Sequence, residues 1–129
     1  MHARPGHILI VDDDPLNRRV LTKSLDSDGH RTTDVDNGFA ALTALEADPP
    51  DVVLLDVVMP GLDGGQVASQ LRQQPALREV PIIFISGIVQ SNPETTSNLP
   101  RLNGFPFLSK PVQIEAVIAC IEENLSHLS

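Results

Sequence analysis

The chain of 129 residues is long enough to close one hydrophobic core, and its 41% hydrophobic and 20% charged residues suit a folded, soluble domain. Only 3% is aromatic, with no Trp or Tyr, so aliphatic side chains must fill the interior. A formal charge of −8 argues against direct binding of nucleic acid or an anionic membrane, and the single cysteine excludes an internal disulfide or a Cys-based zinc cluster.

His7-Ile8-Leu9-Ile10-Val11 is a continuous apolar run, the pattern of a strand covered on both faces. It ends in Asp12-Asp13-Asp14-Pro15, where Asp14 suits a helix N-cap and Pro15 the first turn. Leu16, Val20, Leu21 and Leu25 predict one apolar helical face, closed by Asp28-Gly29. His30 to Val35 is more polar and predicts an edge strand. Asn37-Gly38 leads into a second helix carrying Phe39, Leu42 and Leu45, stopped by Pro49-Pro50. Val52-Val53-Leu54-Leu55 is a third strand ending in Asp56, and Met59-Pro60-Gly61 makes the turn after it. A third helix over about Gly64 to Gln74 turns Val67, Ala68 and Leu71 inward. Val80 to Ile85 predicts a fourth strand ending in Ser86-Gly87. Residues 90–103, rich in Ser, Asn and Thr with Pro93 and Pro100, interrupt the alternation. Phe105-Pro106-Phe107-Leu108 reads as a short fifth strand before Ser109-Lys110-Pro111. Ile114, Val117, Ile118, Ile121 and Leu125 form the apolar stripe of a last helix. His2, His7, His30 and His127 are scattered and expected at exposed or strand-end positions, and Cys120 at the margin of the last helix.

Such alternation, with crossovers of this length, predicts an α/β fold: a parallel sheet with helices on both faces. One domain is expected over residues 1–129, with a core over about 6–126. No apolar run approaches the ~20 residues of a membrane span, and the N-terminus lacks a secretory h-region, so a cytoplasmic location is expected.

In open parallel sheets ligands bind beyond the carboxyl ends of the strands. Asp12, Asp13 and Asp14, then Asp56, Ser86 and Lys110, stand at four such ends. Each alone has a plain structural use: a helix cap, a solvated loop acid, a turn serine, a surface lysine. Together, after buried apolar runs, they point to one site. Crowded carboxylates repel one another unless a cation neutralises them, and oxygen donors without His or Cys favour Mg²⁺. A lysine and a hydroxyl beside them would complete a pocket for a phosphoryl group, with Asp56 as the nucleophile forming an acyl phosphate.

The strings Ile8-Leu9-Ile10-Val11-Asp12-Asp13, Leu55-Asp56-Val57-Val58-Met59-Pro60-Gly61-Leu62-Asp63-Gly64, Phe84-Ile85-Ser86-Gly87 and Ser109-Lys110-Pro111 closely resemble the receiver domain of two-component response regulators. The resemblance implies a doubly wound, five-stranded parallel sheet of the flavodoxin-like, CheY-like (βα)5 type, with strand order 2-1-3-4-5. It implies that Asp56 accepts phosphate from a phosphohistidine of a histidine kinase or histidine phosphotransfer domain. Mg²⁺ would be held by Asp13, Asp56 and the Val58 carbonyl, with Asp12 acting through a metal-bound water. Ser86 and Lys110 would contact the phosphoryl group, and Phe107 matches the family's aromatic switch. Val58 and Ile88 stand where relatives place side chains that orient a hydrolytic water. Asn17 is similar to receivers attached to hybrid kinases. The output would pass to a downstream protein target or fused effector, with no enzymatic turnover of a separate substrate, no direct nucleic-acid binding and no membrane contact.

A different class is a haloacid-dehalogenase-like phosphatase, with Asp12 as nucleophile and Asp14 as acid/base. It would leave Asp56 and its Met-Pro-Gly turn unused, and Leu16 stands where a small polar residue is usual. A receiver fold without phosphorylation would usually have lost an acid or the lysine. A flavin-binding domain would place a phosphate-cradling loop, not an acidic triplet, after the first strand.

Overall fold

Short apolar strands send successive side chains to opposite faces, so each needs a covering layer on both sides. The computed structural model describes residues 6–56, 64–86, 101–102, 105–109 and 113–126. The chain runs β1 (His7–Val11), α1 (Pro15–Ser27), β2 (Arg31–Val35), α2 (Gly38–Ala47), β3 (Val52–Asp56), α3 (Gly64–Gln73), β4 (Ile82–Ser86), β5 (Arg101–Leu102), β6 (Phe105–Ser109) and α4 (Ile114–Ser126). The sheet order is β2-β1-β3-β4-β6-β5. Pairings among β2, β1, β3, β4 and β6 are parallel, so β6 takes the fifth place of the expected 2-1-3-4-5 order.

Strand parity divides the core into two layers. Leu9, Val11, Val53, Leu55, Ile82 and Phe84 pack with Ala41 and Leu45 of α2 and Val67, Ala68 and Leu71 of α3. Ile8, Ile10, Val52, Leu54, Ile83 and Ile85 pack with Leu21 and Leu25 of α1 and Val117, Cys120 and Ile121 of α4. Truncating a central member such as Leu54, fully buried, to Ala should cost about 2–5 kcal/mol. The edge position of β2 agrees with its residues, all of them exposed or half-buried.

Several local expectations are corrected. On α1 only Leu21 and Leu25 are buried; Leu16 is 68% and Val20 41% exposed. With 3.6 residues per turn, the Leu16–Val20 pair forms its own row, displaced from the Leu21–Leu25 row that meets the sheet. On α2 the inward row is Gly38, Ala41 and Leu45, and Phe39 is 65% exposed. β4 starts at Ile82 instead of Val80, because Pro81 has no N–H to offer and only its carbonyl is used, by the Val53 N–H at 3.0 Å. Cys120 lies inside the core layer, not at its margin. His7 and His30 lie at or beside strand starts as expected but are buried. The sheet also has a sixth, antiparallel strand, β5, pairing Arg101 with Pro106 and Leu102 with Phe105. Asn103-Gly104, a dipeptide suited to two-residue hairpins, joins it to β6. The Met59-Pro60-Gly61 turn, the break expected over 90–103 apart from Arg101 and Leu102, and the sequence from Lys110 to Val112 lie outside the described residues.

Candidate functional site

Parallel register brings the acids together. Val11 is level with Leu55, so the next residues, Asp12 and Asp56, emerge side by side where β1 and β3 end. Carboxylate oxygens of Asp12, Asp13 and Asp56 lie within 4.8 Å of one another. Asp12 is fully buried and Asp56 is 3% exposed, whereas Asp13 reaches solvent. On the other side of β3, Asp56 is level with Ile85, placing Ser86 one residue further along β4. Ser86 is level with Ser109 of β6, and Lys110 follows directly in the sequence. Phe107 is level with Phe84. Lys110 and Val58 themselves lie outside the described residues.

The loop between β1 and α1 is built around Asp12. Its N–H donates to the Val35 carbonyl at 3.2 Å, continuing the β1–β2 ladder past the last strand residue. The Asp14 N–H donates to Asp12 Oδ1 at 2.9 Å, and Asn17 Nδ2 donates to Asp12 Oδ2. Arg18 Nη1 donates to the Asp12 main-chain carbonyl at 2.7 Å, while its Nε donates to Asp34 Oδ2 at 3.1 Å. Asp14 is the N-cap of α1: its Oδ1 accepts from the Leu16 N–H at 3.0 Å, with Pro15 opening the helix. Asp14 is thus used in capping α1, while the three-acid grouping is made by Asp12, Asp13 and Asp56.

Two residues of this arrangement, Asn17 and Arg18, were not picked out as site residues from sequence. The available signal was their position in the first turns of a helix that begins directly after the acidic strand end. Side chains there lean back toward the helix N-terminus and can reach the preceding loop.

The donor set of the cluster is oxygen only, comes from three carboxyl groups, and is two-thirds buried by residue. That chemistry fits a hard divalent cation such as Mg²⁺. A second grouping, Asp28, His30 and Glu122, lies near the opposite end of the sheet. There the Gly6 N–H donates to His30 Nδ1 at 3.1 Å, and His30 Nε2 lies 3.3 Å from Asp28 Oδ2. At the same end, the Arg31 guanidinium hydrogen-bonds Asp48 at 2.9 Å and, against an opposing effect of desolvation and with lesser help from its own charge and that of His7, holds its carboxyl below the usual carboxylate range.

The family model described as the response regulator receiver domain matches residues 8–122. Over 121 residues the chain is 34% identical to protein PilH of Pseudomonas aeruginosa, covering 94% of this chain and 98% of PilH. It is 33% identical to the DNA-binding transcriptional regulator NtrC of Escherichia coli K12, covering 95% of this chain but only 25% of NtrC. Among solved structures, the signal receiver domain of a signal transduction histidine kinase from Syntrophus aciditrophicus superposes with a TM-score of 0.81 at 30% identity, covering 96% of this chain and 92% of that one.

Proposed function

This chain belongs to the response regulator receiver domain family and acts in two-component signalling as a phosphoacceptor module, and from that premise we propose that Asp56 is the residue phosphorylated. The observation that carries the assignment is its place: the last residue of β3, 3% exposed, with its carboxylate oxygens among those of Asp12 and Asp13. The donor is a phosphohistidine on a histidine kinase or histidine phosphotransfer domain. An Asp56 carboxylate oxygen attacks the phosphorus, the P–N bond breaks, and its electron pair leaves with the imidazole as the acyl phosphate forms.

Asp13, Asp56 and the Val58 carbonyl would hold Mg²⁺ directly, with Asp12 engaging it through water. When bound, the ion supplies positive charge against the transferring phosphoryl oxygens. Asp12 is kept in one orientation by its hydrogen bonds, so the cluster meets its ligand without rearranging. Ser86 would donate its hydroxyl proton to a phosphoryl oxygen, and Lys110 would place its ammonium against another. Phe107, on the strand beside Ser86, is the candidate for relaying occupancy to a partner surface. Residues 1–129 serve as one receiver domain in the cytoplasm, passing the signal to a protein target or a fused effector without contacting nucleic acid or membrane. Among the described residues no helix is long and apolar enough to cross a membrane.

The test is intact-mass analysis after incubation with acetyl phosphate and Mg²⁺. One added phosphoryl group is expected on the wild type and none on Asp56→Asn. Labelling of Asp56→Asn at the wild-type level would move the acceptor elsewhere.

A further inference from the structure

We propose that Asn17 is a positioning residue of the cation site, acting through Asp12. The proposal rests on the reading of the acidic cluster as that site. Asp12 has no solvent exposure, and both of its carboxylate oxygens are engaged: Oδ1 by the Asp14 N–H and Oδ2 by Asn17 Nδ2. The torsion that turns a carboxylate is broad, so two donors on opposite oxygens are what select one orientation. That carboxylate is held beside those of Asp13 and Asp56, one oxygen from each of the three lying within 4.8 Å of the others.

The chemical type of the donor matters as much as its place. An ammonium or guanidinium on Asp12 Oδ2 would satisfy the same oxygen but cancel one of the three charges that attract a divalent ion. The Asn17 amide orients the carboxylate and leaves its charge intact. Its neighbour Arg18 shows the complementary arrangement. That guanidinium donates to the Asp12 main-chain carbonyl, not the carboxylate, and its charge is paired with Asp34, an acid outside the cluster. Helix α1 thus presents a neutral donor to the Asp12 carboxylate, which would meet the ion through water, and pairs its own cation with an acid outside the cluster. Asn17 can do this because it is the third residue of α1, at the helix end where a side chain reaches back over the preceding loop.

The experiment is a Mg²⁺ titration of the full chain without phosphodonor, at constant ionic strength, read as the thermal midpoint against free Mg²⁺. Asn17→Ala should weaken the apparent affinity by about tenfold or more, the usual effect of losing the partner that orients a ligand. Asn17→Lys should weaken it at least as much, although it restores a donor. In an Asp12→Ala background the further loss from Asn17→Ala should be no more than about twofold, because the residue through which it acts is gone. Should Asn17→Ala not fold, Asn17→Ser takes its place in the same cycle. Affinity within about twofold of wild type for Asn17→Ala, or an equal loss with and without Asp12, would overturn the proposal. A wild type with no saturable Mg²⁺ response would overturn the reading of the cluster, and the positioning role with it.

Discussion

Asp13 differs from its two companions in one respect that decides its role: it reaches solvent while Asp12 and Asp56 do not. On the proposed reading of the cluster as a cation site, an ion arriving from water would meet Asp13 first, and that carboxylate would lose the least in desolvation. Without the ion, three carboxylates with oxygens inside 4.8 Å oppose one another and hold the folded state below its possible stability. Mg²⁺ should therefore raise the melting temperature, and Asp13→Asn should remove most of that rise; a mutant that keeps the full response would place the metal elsewhere. A second expectation concerns how long the phosphoryl group persists. Val58 and Ile88 are β-branched and apolar, with no group to orient a water for in-line attack. Val58→Asn combined with Ile88→Glu should shorten the decay of the phosphorylated mass once the donor is removed, and equal decay in both proteins would assign the lifetime to other residues.

Helix α1 illustrates both what periodicity can show and where it stops. Asp14 and Pro15 announced the helix start correctly, because capping and proline geometry are local matters. Its buried face was read too broadly: four apolar residues suggested one stripe, but only Leu21 and Leu25 meet the sheet. Burial depends on where the sheet lies, and hydropathy alone does not report that. Arg18 was invisible as a structural residue for the same reason, since its partners, Asp12 in the loop after β1 and Asp34 in β2, meet it only on folding. Arg18→Ala removes both contacts, and with the Asp34 partner 45% exposed the expected loss is about 1–2 kcal/mol, read as a lower urea midpoint at unchanged slope. At the far edge, the Asn103-Gly104 dipeptide was a usable hairpin signal, but β5 has only two residues and little periodicity to read. The convergence of Asp12, Asp13 and Asp56 was legible because it follows from strand parity and parallel register alone; the support from Asn17 was not, because it depends on side-chain reach across a loop.

Across the whole molecule, a formal charge of −8 means that self-repulsion opposes compaction at neutral pH, so moderate salt should stabilise the protein even without a divalent ion. Acid brings a different effect at the end of the sheet remote from the cluster. The carboxyl of Asp48 is held low in the folded state, chiefly by the hydrogen bond from Arg31, and returns to its ordinary value on unfolding. The unfolded chain therefore binds this proton first, and the ion pair's stabilisation, present above about pH 4, is lost as pH falls through the folded value. Both partners are more than half exposed, which keeps the effect small. Urea unfolding of Asp48→Asn should show a shallower loss of stability on the acid side than wild type; parallel curves would show that Asp48 is not coupled to folding.

Strand β3 has bonded neighbours on both sides, β1 and β4, and is buried on both faces. A segment held in this way has no local route to opening, and its amides should trade deuterium with solvent only when the entire domain comes apart. Asp56 ends that strand, so the residue proposed as the phosphoacceptor is tied to the part of the described fold that opens last. If Asp56 carries the phosphoryl group as proposed, its loss should be set by hydrolysis of the acyl phosphate and not by loosening of its support.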